Sequence, residues 1–126
     1  MCIRDSGIGS GGSATGAWFA VHQEDATLHL GFNNANQVQS SNFLTANTWH
    51  HIALVRNGST ITSYIDGTAG GTESNTNNLT TQMLTIGGNY NGDYYIRGYM
   101  DELRITIGKA RYTSNFTAPT EEFLNR

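Results

Sequence analysis

The densest group of chemistry-bearing side chains lies in residues 89–95, where Tyr90, Tyr94 and Tyr95 are interleaved with Asn89, Asn91 and Asp93 around Gly92. Flat aromatic faces beside amides and a carboxylate suit a sugar, whose C–H face stacks on the arene while its hydroxyls take the hydrogen bonds. Tyr90, Asn91, Asp93 and Tyr94 are therefore the candidate ligand-binding set, with alternation turning one of Tyr94 and Tyr95 into the core. The same loop places side-chain oxygens of Asn89, Asn91 and Asp93 at alternate positions, a donor set that suits the hard cation Ca2+. A plain turn is the competing reading, because Asn-Gly is a turn signal and one carboxylate is little charge for Ca2+.

The histidines are His22, His29, His50 and His51. His22 and His29 fall on one face of an expected hairpin, without the Cys or carboxylates that would complete a zinc set. His50 and His51 point to opposite faces and read as strand residues with local partners. Asp101 and Glu102 are adjacent, hence on opposite faces, and cannot act together as the paired carboxyl groups of a glycosidase. Glu102 and Arg104 share a face and are expected to pair on the solvent side.

The elements that must position these groups are short strands. Residues 17–22 and 27–32 read as a hairpin around the polar turn 23–26, with Val21 opposite Leu28, Phe19 opposite Leu30 and Ala17 opposite Phe32. Its reverse face carries Trp18, Ala20, His22, Thr27 and His29, a half-polar surface that makes Trp18 and His29 further candidates for ligand contact. Residues 49–66 form a second hairpin. Asn57-Gly58 as a two-residue type I′ turn sets Leu54 opposite Ile61, Ile52 opposite Ser63 and His50 opposite Ile65. Apolar residues on both faces predict that this hairpin is covered on both sides for part of its length, with Trp49 in a structural role.

Residues 68–81 are polar, without periodicity, and read as a loop. Residues 82–87 and 98–107 read as strands, completing six, and the terminal run 116–123, with Pro119, is expected to cross a sheet edge. The expected core is Phe19, Val21, Leu28, Leu30, Ile52, Leu54, Ile61, Ile65, Leu84, Ile86, Leu103 and Ile105.

A chain of 126 residues fits one domain, and abundant Gly, Asn, Thr and Ser with one proline point to an all-β fold. Charged residues make up 13% and the formal net charge is −3, which argues against a phosphate-backbone partner, so nucleic acid is not expected. No apolar run is long enough to span a membrane, so no membrane insertion is expected. Cys2 is the only cysteine, leaving no intrachain disulfide to report a compartment. Residues 1–6 resemble translated adapter sequence and precede a Gly/Ser-rich stretch, so residues 1–16 are set apart as a non-native or linker-like segment and residues 17–126 as the domain.

Several segments, in order, carry a resemblance: NTWHHIALVRNG, SYIDG, LTIGG, then GYMDELRIT followed by GKARYTSNFTAPTEEF. Together they resemble the concanavalin A-like lectin/glucanase superfamily, in particular laminin G-like domains of bacterial surface and phage structural proteins, over residues 17–123. The resemblance implies an antiparallel jelly-roll β-sandwich. It also implies a non-catalytic carbohydrate-binding or adhesion module of a larger extracellular, cell-surface or virion protein, whose partners are carbohydrate or a glycosylated surface and the parent's other domains. A purely structural jelly roll without a ligand is the alternative. Relatives that bind Ca2+ do so through loop carboxylates and carbonyls. The glucanase branch carries Glu-x-Asp-x-x-Glu along one strand, and this sequence has no such string, so no enzyme is expected. The family's usual first strand has no counterpart ahead of the Gly-rich segment, which implies one or more missing N-terminal strands and, with them, an unpaired sheet edge or an exposed strip of core.

Overall fold

The two expected hairpins each seed a sheet in the computed structural model, which describes residues 2–3, 17–21, 25–32, 35–76, 86–87 and 98–123. Among these there is no helix. The strands are β1 (Cys2–Ile3), β2 (Ala17–Val21), β3 (Leu28–Phe32), β4 (Ala35–Gln39), β5 (Ile52–Asn57), β6 (Thr60–Ile65), β7 (Thr68–Ser74) and β8 (Met100–Asp101). They form sheets of order β2-β3-β4 and β5-β6-β7 and a two-stranded ladder β1-β8. Every pairing is antiparallel. The fold class is all-β, as expected, and β1 comes from the segment that the sequence sets apart.

The first hairpin has its expected register, with Val21 opposite Leu28, Phe19 opposite Leu30 and Ala17 opposite Phe32. The second is corrected. Gly58 takes φ +62 while Asn57 closes the strand opposite Thr60, so the two-residue loop is Gly58-Ser59 with glycine at the first central position, a type II′ arrangement. The slide turns Leu54 toward Ser63 and Ile52 toward Ile65. Because it moves pairings by two residues, no side chain changes face.

The inner faces of the two sheets meet. Val21 and Leu28 pack with Ile52, Ile65 and partly buried Leu44, and Leu30 and Val38 pack with Ile61 and Leu54. Each such side chain, once buried, contributes about 1.5–3 kcal/mol of transfer free energy.

Besides β1, two further strands are not visible in the sequence pattern. β4, ANQVQ, has one strongly apolar residue and so no alternation to read. β7 occupies the run expected as a loop, and its glycines are contact sites: a Cβ on Gly71 would crowd the Gln39 carbonyl and Val38, and one on Gly70 would crowd Ser40. Ser41 then closes the sandwich, its N–H donating to the Gly70 carbonyl at 2.6 Å and its hydroxyl at 2.7 Å.

The strand expected over residues 98–107 is also corrected. It is confined to Met100–Asp101, because Asp101 Oδ1 accepts the Glu102 N–H at 2.8 Å and Glu102 turns to φ +52. That local bond competes with the ladder. Leu103 and Ile105 are consequently 45% and 59% exposed instead of lying in the core. Ile86, also expected in the core, is 53% exposed in a bend beside Gly87 at φ +82. Leu84 and the Phe19 side chain lie outside the described residues.

Candidate functional site

Of the residues expected to bind ligand or metal, Asn89, Tyr90, Asn91, Asp93 and Tyr94 lie outside the described residues, as do His22 and the Trp18 side chain. In the register of the first sheet Trp18 pairs with Gly31 and His29 with Ala20. His29, however, is only 5% exposed.

His29 belongs to a polar cluster built on the β2–β3 turn. Asp25 Oδ1 accepts from the Thr27 N–H at 3.2 Å and its hydroxyl at 2.7 Å, while Asp25 Oδ2 meets Gln39 Nε2 at 3.0 Å and His29 Nε2 at 3.3 Å. His29 Nε2 also lies 2.9 Å from Thr27 Oγ1. A carboxylate offers about four lone-pair sites, and here four groups converge on them, so the cluster locks the turn to β4. Gln39, which is exposed, and Asp25, which is partly exposed, form its accessible rim.

A second anchor lies where β5 begins. Asp66, at φ +50 beside Gly67 at φ +81, forms the type I′ turn between β6 and β7. Its Oδ1 accepts the His51 N–H at 2.8 Å, and its Oδ2 lies 2.7 Å from His50 Nδ1. On the far side of the His50 ring, Nε2 accepts the Thr45 N–H at 2.8 Å. An accepting Nε2 puts the neutral ring's proton on Nδ1, which donates it to Asp66. His50 therefore ties residues 44–50 to the turn.

Trp49, one residue earlier, lies open. It is 55% exposed, and its ring centroid lies 6.4 Å from that of Tyr99, itself 65% exposed. The structural role expected for Trp49 is thus corrected to an open one.

The reverse face of β5-β6 is covered, as expected for a hairpin apolar on both sides. His51, 8% exposed, meets Tyr112, Phe116 and Phe123 edge-on at centroid distances of 6.1, 5.5 and 6.4 Å. Tyr112 and Phe116 stack in parallel at 3.6 Å, and Tyr64 packs against both. Burial holds the His51 ring below its ordinary pKa of 6.5, and its Nδ1 has no hydrogen-bond partner among the described residues. Glu102 and Arg104 do not pair with each other as expected. Both turn to Phe123, whose N–H donates to Glu102 Oε2 at 2.7 Å and whose ring lies 3.8 Å from the Arg104 guanidinium carbon.

A laminin G-type family model, described as the concanavalin A-like lectin/glucanases superfamily, matches residues 3–109. The chain belongs to this superfamily. No curated protein and no solved structure matches it. The superfamily match includes both anchors and the Trp49–Tyr99 pair, and it ends before Tyr112, Phe116 and Phe123. It begins at residue 3, inside the segment that the sequence sets apart. Among the described residues no helix is long and apolar enough to cross a membrane.

In this lectin/glucanase sandwich, Trp49 is the candidate residue that sequence reasoning misses. Alternation gives no signal for it, since Trp49 precedes β5 and the two residues after it, His50 and His51, are both buried.

Proposed function

We propose that the chain is a non-catalytic module that recognises carbohydrate or a glycosylated surface, carried on a larger extracellular protein of a cell surface or virion. Superfamily membership over residues 3–109 carries this reading, because these sandwiches host sugar recognition. Membership alone leaves the role open. The weak charge, 13% of residues, fits a neutral polyol better than an ionic partner.

The non-catalytic part rests on the missing Glu-x-Asp-x-x-Glu string and on the adjacent carboxylates. Asp101 accepts the N–H of Glu102, and Glu102 accepts that of Phe123, so both serve the backbone. Calcium held by Asn89, Asn91 and Asp93 is the finer part of the proposal.

A glycan array probed with and without chelator tests the reading. Signal on a subset of glycans is expected, reduced by chelator if calcium takes part, and signal nowhere would overturn it. A flat array would favour a structural jelly roll without ligand, a reading that the mutually hydrogen-bonded Asp25–Thr27–His29–Gln39 cluster supports. Incubation with β-glucans should release no shorter sugars, and release would overturn the non-catalytic assignment.

A further inference from the structure

Trp49 and Tyr99 are two large aromatic side chains standing open side by side, 55% and 65% exposed. Their centroids are 6.4 Å apart and their planes tilt by 44°, so the rings touch without covering each other's faces. Both sit on fixed backbone. Trp49 immediately precedes His50, which the Thr45 N–H and the Asp66 carboxylate hold on either side. Tyr99 immediately precedes β8, where Met100 pairs with Ile3. The run leading into Trp49 consists of Thr45, Ala46, Asn47 and Thr48, all exposed and none charged.

This combination points to one ligand chemistry. An indole and a phenol with open faces offer flat, polarisable surface to C–H groups, at low entropic cost because the flanking residues are already held. The exposed Thr45 and Thr48 hydroxyls beside them offer hydrogen-bonding oxygens without charge. An anionic sugar or a nucleic acid would require cationic side chains, which residues 44–49 lack.

We infer that Trp49 and Tyr99 form a stacking platform for a neutral hexopyranose chain. The inference rests on the carbohydrate reading above and deepens it by assigning the stacking to residues other than Tyr90 and Tyr94.

The test uses the full chain, a panel of neutral hexasaccharides (cello-, malto-, laminari- and chitohexaose) and a sialylated oligosaccharide. The protein's tryptophans are Trp18 and Trp49, so their indole N–H resonances can be followed separately, with Trp49→Phe identifying the second. With at least one neutral hexasaccharide the Trp49 signal should shift saturably, and Tyr99→Ala should weaken that binding about tenfold. Trp49→Ala should remove it while the circular dichroism spectrum is unchanged. Where Trp49→Ala fails to fold, the Tyr99→Ala titration decides. If the parent binds a neutral glycan and its Trp49 resonance stays still, or both alanine variants bind like the parent, the platform is wrong and the carbohydrate reading survives. Binding of the sialylated glycan alone likewise overturns the platform. Failure of the parent to bind any glycan overturns both.

Discussion

The carbonyl of Gly67 accepts the backbone N–H of Phe116 at 2.9 Å, so the turn between β6 and β7 is the point where the terminal aromatic segment docks. Gly67 has φ +81, and a Cβ there would collide with the Phe116 carbonyl oxygen. Gly67→Ala should therefore combine a left-handed backbone penalty with displacement of the segment, lowering stability by at least about 2 kcal/mol. Urea unfolding measures the loss, and hydrogen exchange should show earlier opening across residues 112–123. A variant as stable as the parent would remove this turn as the docking point.

Asp66 serves His50 through one carboxylate oxygen and the His51 N–H through the other. Asp66→Ala should cost about 2–4 kcal/mol, since it leaves the buried His50 N–H unpaired and puts alanine at φ +50. Solvent around the half-exposed carboxylate keeps this cost below that of losing a buried ion pair. Asp66→Asn keeps an acceptor oxygen and tolerates the left-handed region, so it should lose about half as much. Nitrogen shifts of His50 should report a proton on Nδ1 in the parent, and a proton on Nε2 would contradict the assignment.

The two hairpins are legible in the sequence because alternate apolar residues flank short polar turns, and this pattern already separates the inner face of Leu28, Leu30, Ile52 and Ile61 from the outer one. The slide at Asn57-Gly58 is not legible, since either dipeptide containing Gly58 closes a two-residue loop and the faces are the same in both. β7 is hidden because Gly70 and Gly71 are selected by the approach of β4, a tertiary demand that composition reports as a loop. Residues 103–107 mislead in the opposite sense: they alternate like a strand, yet the bond from Glu102 to Asp101 ends the ladder before them. For the site, the openness of Trp49 is not legible, because it precedes β5 and both residues that follow it, His50 and His51, are buried, so no alternation marks it.

His51 gives the chain a pH dependence whose sign follows from burial. Desolvation lowers its folded-state pKa below the ordinary 6.5, so between those two values the unfolded chain binds more protons than the folded one. Stability from this ring is complete above 6.5 and is lost as pH falls toward the folded-state value. Unfolding free energies across that window should rise with pH. His51→Phe, which keeps a ring among Tyr112, Phe116 and Phe123, should flatten the slope. A parent slope equal to that of His51→Phe would show that the ring does not contribute.

Leu103, Ile105 and Ile107 alternate along one stretch and are 45%, 59% and 93% exposed, so they present apolar surface with nothing described lying over it. Such a row binds hydrophobic dyes and promotes association. Ile105→Lys with Ile107→Lys removes no buried contact and touches no cap, so stability should stay within about 0.5 kcal/mol of the parent. Dye fluorescence should fall, and sedimentation at rising concentration should show less association. A loss of several kcal/mol would mean that the two isoleucines are buried in solution, and the assignment of residues 103–107 as an open segment would then fail.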